Sequence, residues 1–380
     1  MKIAIVLGRG IEGCGITRLA IEYKNWLIKN NFKVDIFALI EKKFSRHKSH
    51  DFQYQSFSPK DDVSSKLNSY NKVIYLSVPS TKNSNECISN FLKYWVRTVN
   101  KPQKVFIQGD HLKQSIQRNA KMWDVVEHCD LAFTFSKNSF FGIEFNKRFN
   151  SDSIFPDKDY SIPLHTFRVG MDFDSLKDYR KRFKNKKSRI SYMGRFARFK
   201  NLDRVLDLRK HLKKKIIVEM RGVEQSIGAL DIYNHPKVIT KENNQSCFDK
   251  TYVYGLYARK DGLEELSSSK FGCSFYELDN KFYGSHIEYA MLELVGTGTI
   301  PIFSKHFGDN VKHISGKSFS SIKHSGIFMD GDNIDEVCEE IETLNNNQKS
   351  YDNYVDDCLS IYEAHSSSDR TWTDLQESMD

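Results

Sequence analysis

A parallel α/β chain folded as two halves of similar size is what this sequence predicts. Three observations lead there: short apolar runs alternate with amphipathic helical stretches from the first residues, the rhythm breaks once, and it then restarts. Residues 3–7 form the first strand-like apolar run. Leu19, Tyr23, Trp26 and Leu27 share one face of a helix expected over 17–30, and residues 34–40 read as the second strand, completing a strand–helix–strand unit. Further strands are expected over 73–78, 105–108 and 131–135, each apolar and ending at polar or turn residues. Between about 170 and 187 an Asp-rich and then Lys/Arg-rich stretch carries little apolar periodicity. The expected boundaries are therefore a first domain over 1–175, a basic linker over 176–187 and a second domain over 188–380. The alternation resumes at 190–193, 216–219, 238–240, 252–256, 272–276 and 299–303, and nothing repeats at a solenoid period.

With 380 residues, 39% apolar and 28% charged, and a mean hydropathy of −0.55, the chain is long enough for two cores. No run approaches the ~20 apolar residues of a membrane helix. The N-terminus enters its first strand with no cleavable signal pattern, so neither a membrane protein nor a secreted precursor is expected. The seven cysteines are odd in number, widely spaced and never arranged as CxxC, which reads as reduced cytoplasmic thiols and no zinc framework. A net charge of +8 suits a polyanionic partner such as nucleic acid or a nucleotide, and equally an ordinary basic enzyme.

Four groups of residues could carry chemistry. Gly8, Gly10, Gly13 and Gly15 crowd the turn between the first strand and first helix, where backbone N–H groups can approach an anion at a helix N-terminus. The spacing fits GxGxxG, but Asp35 lies inside the second strand and not at its end, as a dinucleotide fold requires. It is nearly a P-loop, but Ile16 stands where the phosphate-binding lysine belongs. A sugar or phosphate bound by backbone alone, or a tight turn with no ligand, are the remaining readings. Arg195 and Lys200 follow the strand at 190–193, a position that suits a pyrophosphate or a solvated loop. Glu288 and Glu293, five residues apart on an expected helix, project about 140° from each other and so serve two separate hydroxyl-rich groups. Asp110 and His111 end the strand at 105–108 and are general-base candidates, His111 also fitting a hydrogen-bonded core histidine. No spacing suggests a metal site.

These segments carry a resemblance. Residues 9–17, Trp26 to Asn30, Ser77-Val78-Pro79, Gly194-Arg195 with Lys200, Leu263-Glu264 with Ser269 to Gly272, Glu288-Tyr289, Leu292-Glu293-Leu294, Gly298 to Pro301 and His324 to Ile327 resemble, in order and over nearly the whole chain, the DNA α-glucosyltransferase family of T-even bacteriophages. The resemblance implies a GT-B fold, two Rossmann-like domains facing each other across a cleft, with acceptor DNA on the first and the nucleotide sugar on the second. It implies a UDP-sugar donor and duplex DNA containing 5-hydroxymethylcytosine as partner, in a phage-infected bacterial cytoplasm. Arg195 and Lys200, aided by the amides of Gly13 and Gly15, would hold the diphosphate; Glu288 would hold the transferred sugar, Glu293 the uridine ribose, and Asp110 would sit at the acceptor hydroxyl beside His111.

One departure bears on the sugar. Where the family reads His-Asp-His this chain reads Gly109-Asp110-His111, which leaves both UDP-glucose and UDP-arabinose open as donors, since related phages place arabinose on the same base. The expected activity is a retaining transfer to a flipped-out base, with phosphate contacts from Lys and Arg; Arg180 to Lys187 could join them, but a solvated linker is the safer reading of that run. The alternatives are a glycosyltransferase for a small molecule or polysaccharide, and a non-catalytic DNA-binding protein.

Overall fold

A computed structural model describes residues 1–8, 15–39, 55–57, 63–77, 86–109, 116, 120–150, 161–194, 200–212, 216–221, 251–254, 259–275 and 286–380. The chain divides into two compact units, Met1–Gly170 together with Ser368–Asp380, and Met171–Ser367.

In the first unit seven strands, β1 (Lys2–Leu7), β2 (Lys33–Leu39), β3 (Gln55–Phe57), β4 (Lys72–Leu76), β5 (Gln103–Ile107), β6 (Leu131–Thr134) and β7 (Leu164–Thr166), pair in the order β3-β2-β1-β4-β5-β6-β7, every pair parallel. Helices α1 (Gly15–Lys29), α2 (Ser64–Leu67), α3 (Glu86–Thr98), α4 (Ala120–Val126) and α5 (Phe140–Phe149) connect them. Ile3, Ala4, Ile5, Val6 and Leu7 are all buried, because a parallel strand covered by helices on both faces has no solvent side to make polar. The expected face of α1 is the buried one, with Leu19, Tyr23, Trp26 and Leu27 all in the core. Asp35 lies within β2, where its carboxylate accepts from Tyr70 Oη at 2.6 Å and Gln55 Nε2 at 3.3 Å.

The second unit repeats the plan with β8 (Lys187–Met193), β9 (Ile217–Arg221), β10 (Thr251–Tyr254), β11 (Ser269–Ser274), β12 (Ile300–Ser304) and β13 (Ile327–Met329), in the order β10-β9-β8-β11-β12-β13 and again all parallel. Its helices are α6 (Leu202–His211), α7 (Arg259–Ser267), α8 (Tyr289–Gly296), α9 (Lys305–Asn310), α10 (Ile334–Asn346) and α11 (Gln348–Ser366). The strand expected over 238–240 lies outside the described residues. The short edge strands β3, β7 and β13 were not anticipated; three residues each are too few to show a period.

The expected domain boundaries are corrected in two places. Residues 171–175 fall in the second unit and not the first, and residues 176–187 are part of that unit and not a linker, the 3₁₀ turns Asp174–Tyr179 and Phe183–Asn185 folding against its helices. Leu176 is buried, Arg180 donates through Nε to Gly296 O at 2.9 Å and through Nη2 to Phe173 O at 2.6 Å, and Arg182 pairs with Asp356 at 2.8 Å. Lys186 is enclosed, its ammonium within 3.3 Å of Ser267 O, Ser269 O, Thr297 O and Thr299 Oγ1, so it ties together the carboxyl ends of α7 and α8. The charges that broke the apolar pattern are thus spent on helix-end carbonyls and carboxylates.

The second correction is at the other end. Helix α12 (Ser368–Glu377) belongs to the first unit and not to the second. Trp372 is 1% exposed and packs on Tyr23 with ring centroids 5.1 Å apart, Tyr23 Oη donates to Gln376 Oε1 at 3.0 Å, and Gln103 Nε2 donates to Met379 O at 2.9 Å. Lys72 pairs with Asp380, and Arg168 with Asp374. Gly170 runs so close under Trp372 that a Cβ there would lie 2.7 Å from the indole Cε2. One residue on, Met171 N–H donates to Ser366 O at 2.8 Å.

Trp372→Ala is expected to cost about 3–5 kcal/mol of stability in urea unfolding, the amount for an enclosed aromatic whose cavity cannot close. Lys186→Met should cost about 1–3 kcal/mol by leaving carbonyls without a donor. A loss below about 0.5 kcal/mol in either variant would contradict the packing described, since that is the range of substitutions away from such features.

Candidate active site

In an all-parallel open sheet, ligands bind beyond the carboxyl ends of the strands where the strand order reverses. In the second unit that point lies between β8 and β11. Lys200 follows β8 and Glu288 follows β11, and the fold brings them together: Lys200 Nζ donates to Glu288 Oε2 at 2.6 Å. Lys200 is 7% exposed, and the next residue, Asn201, caps α6 in the left-handed region at φ 42°. Such a backbone conformation is uncommon outside glycine and concentrates at functional turns.

Glu288 is not a helix residue, which corrects the expectation drawn from a continuous helix. Its backbone is extended, φ −99° and ψ 160°, and it caps the N-terminus of α8, its N–H donating to Met291 Sδ at 3.4 Å. The 140° projection therefore does not apply, but each carboxylate has its own cation, Lys200 for Glu288 and Arg259 for Glu293. Negative charge at Glu288 is favoured by the helix dipole. Glu293 lies within α8, whose Met291, Leu292, Leu294 and Val295 are buried, and its Oε1 accepts from Arg259 Nε at 2.8 Å. Arg259, the first residue of α7, had no signal in the sequence: it is one basic residue among 57, and its partner lies 34 positions away.

In the first unit the reversal lies between β1 and β4. Ser77, just past β4, holds φ 55° and its Oγ accepts from Gly109 N–H, just past β5, at 2.8 Å. A Cβ at Gly109 would lie 3.2 Å from Ser77 Oγ and 3.3 Å from Ile16 Cγ1, so the missing side chain leaves a tight backbone contact. Gly15 opens α1 with an exposed N-terminus, and a Cβ there would meet nothing within 4 Å. Gly13, Asp110, His111 and Arg195 lie outside the described residues. Among the described residues no cluster of His, Cys, Asp or Glu could hold a metal ion, and no helix is long and apolar enough to cross a membrane.

The Lys200–Glu288 contact makes a testable demand on stability. Lys200→Met and Glu288→Gln should each destabilise, and the double variant should lose less than the two together, giving a coupling energy of about 0.5–3 kcal/mol in a double-mutant cycle. Additive losses would mean that the pair is not formed in solution.

The sequence pattern of the DNA alpha-glucosyltransferase family matches residues 14–349. The DNA alpha-glucosyltransferase of Enterobacteria phage T4 is 28% identical, with 93% of each chain covered. An alpha-glucosyltransferase solved in complex with UDP superposes with a TM-score of 0.89 at 24% identity over 100% of this chain and 99% of that one, and one solved with UDP-glucose and DNA containing an abasic site gives 0.87 at 23% over the same shares. More distantly, HepE of Anabaena in complex with UDP and glucose gives 0.66 at 10% identity, again over 100% of this chain and 99% of that chain. The fold is accordingly of the GT-B glycosyltransferase type, as the resemblance implied. With 336 consecutive positions matched by the family pattern, this chain belongs to the DNA alpha-glucosyltransferase family.

Proposed function

We propose that this protein transfers a sugar from a UDP-sugar to the hydroxymethyl oxygen of 5-hydroxymethylcytosine in duplex DNA, with retention of anomeric configuration. The observation that carries the reading is the enclosed Lys200 ammonium against Glu288 Oε2, where the second sheet reverses its order. A diphosphate competes well for such an ammonium and releases a carboxylate whose oxygens suit sugar hydroxyls. We assign Arg195 to the same diphosphate and Glu293 to the ribose. Two relatives support the ligands: one solved with UDP-glucose and abasic DNA, another with UDP and a 13-mer containing an HMU base.

In this mechanism the anomeric carbon–oxygen bond to the diphosphate breaks as the acceptor oxygen bonds to the same face. Arg195 and Lys200 stabilise the charge gathering on the leaving group, a preorganised electrostatic effect. Asp110 orients the acceptor hydroxyl and takes its proton, with His111 in support. A base inside a duplex cannot present that hydroxyl, so it is flipped out at a cost of a few kcal/mol, and basic side chains hold the flanking phosphates. Arg180, Arg182 and Lys186 are not among those we assign to phosphate, being engaged within their own unit. We read the protein as acting in the cytoplasm of the infected host, where its substrate DNA is.

Glucose is the donor sugar by family. Gly109, bare where the family resemblance expects an imidazole, favours a second reading with a UDP-pentose such as UDP-arabinose. Hydroxymethylated duplex incubated with each UDP-sugar, digested and analysed by mass spectrometry, should yield a hexosyl nucleoside from UDP-glucose. A pentosyl adduct alone would establish the second reading, and no adduct from either would overturn the proposal. Asp110→Asn should slow single-turnover transfer by ~10²–10⁴-fold with UDP binding retained. Near-normal transfer would assign the proton to the departing diphosphate.

A further inference from the structure

Arg259 and Glu293 form a contact with more capacity than it uses. Arg259 Nε donates to Glu293 Oε1 at 2.8 Å, a one-point contact and not the two-pronged grip that a guanidinium can give a carboxylate. The Arg259 Nη2 is enclosed and has no hydrogen-bond partner, an arrangement that costs free energy until an acceptor arrives. Glu293 keeps lone pairs of its own for a further donor, and its side chain is 19% exposed. The two charges cancel, so the pair exerts little net pull on an ion.

The chemistry that suits both members is narrow. A carboxylate repels groups that only accept, such as phosphate or carbonyl oxygen, and a guanidinium has nothing to offer groups that only donate. A hydroxyl does both, donating to Glu293 while accepting from Arg259. We propose that Arg259 is a further binding residue for nucleotide recognition: it fixes the Glu293 carboxylate and itself donates to the ligand, so that the pair reads the ribose hydroxyls of the donor and discriminates against deoxynucleotides. This rests on the assignment of Glu293 to the ribose. Hydroxyls of the transferred sugar have the same chemistry, so UDP, which lacks that sugar, separates the two sources.

The experiment is calorimetric titration of the full chain with UDP, 2′-deoxy-UDP and 3′-deoxy-UDP. The wild type should prefer UDP over at least one deoxy ligand by roughly 10- to 100-fold, the range for a hydrogen bond to a charged group. Glu293→Gln should erase most of that preference. Arg259→Ala should do the same while leaving affinity for the deoxy ligand within about twofold, and Arg259→Lys, which keeps the charge without the planar guanidinium, should restore at most part of it. Equal weakening of all three ligands in Arg259→Ala and Arg259→Lys, with the preference intact, would show a merely structural role and overturn the proposal. An unchanged preference in Glu293→Gln would instead remove the ribose assignment beneath it.

Discussion

Neighbouring parallel strands can be joined only by a crossover of a dozen or more residues, and that requirement governs where this molecule can place its chemistry. Every strand pair in both sheets is parallel, so helices must cover both faces and the strand interiors become unbroken apolar runs. Polar side chains that must meet a ligand are left only the strand ends. Because β1 has β2 on one side and β4 on the other, and β8 likewise has β9 and β11, the crossovers leave in opposite directions and part there. Ser77 stands just past β4, where it accepts from Gly109 past the neighbouring β5, and Lys200 and Glu288 meet on the connections that leave β8 and β11.

The second sheet also shows two ways of treating charge. Arg189 in β8 is 2% exposed and is saturated: Nη1 pairs with Glu219 at 2.7 Å and Glu265 at 2.8 Å, and Nε donates to Ser269 Oγ at 2.8 Å. Removing a partner from such a network strands a charge, so its role is to hold β8, β9, β11 and α7 in one arrangement. Arg259–Glu293 is looser: Arg259 Nε meets Glu293 Oε1 at 2.8 Å, and the guanidinium Nη2 has no acceptor. A saturated network supports the scaffold; the Arg259–Glu293 pair keeps a donor and lone pairs for a further group.

Much of the fold was legible because burial on both faces writes itself into the chain. Residues 3–7 and 73–76 have nothing polar in them for the same reason that β1 and β4 are central. A loss of apolar rhythm over 176–187 suggests a linker, yet Arg180 and Lys186 bind helix-end carbonyls inside the second unit, which no local pattern reveals. Helix α12 could not have been assigned to the first unit, since its amphipathic pattern states that it has a buried face but not which core receives it. At the site, Glu288 and Lys200 were visible as polar residues beside turn signals. Arg259 and the left-handed Ser77 were not: an ion pair 34 residues apart and a positive φ at a serine leave no local trace.

The return of α12 to the first unit has a consequence for how the protein comes into being. The second unit is threaded into the chain between Gly170 and Ser368, like a clause inside a sentence, and the first unit's core lacks Trp372 until residues 368–380 are made. Domains tend to fold in the order of their synthesis. Here the inner one, although second to begin, has all its residues first, and the outer one must wait on the ribosome with α1 uncovered. A nascent chain stopped at residue 367 would hold a complete second unit and an exposed apolar face around Tyr23, and chaperone engagement would be concentrated there.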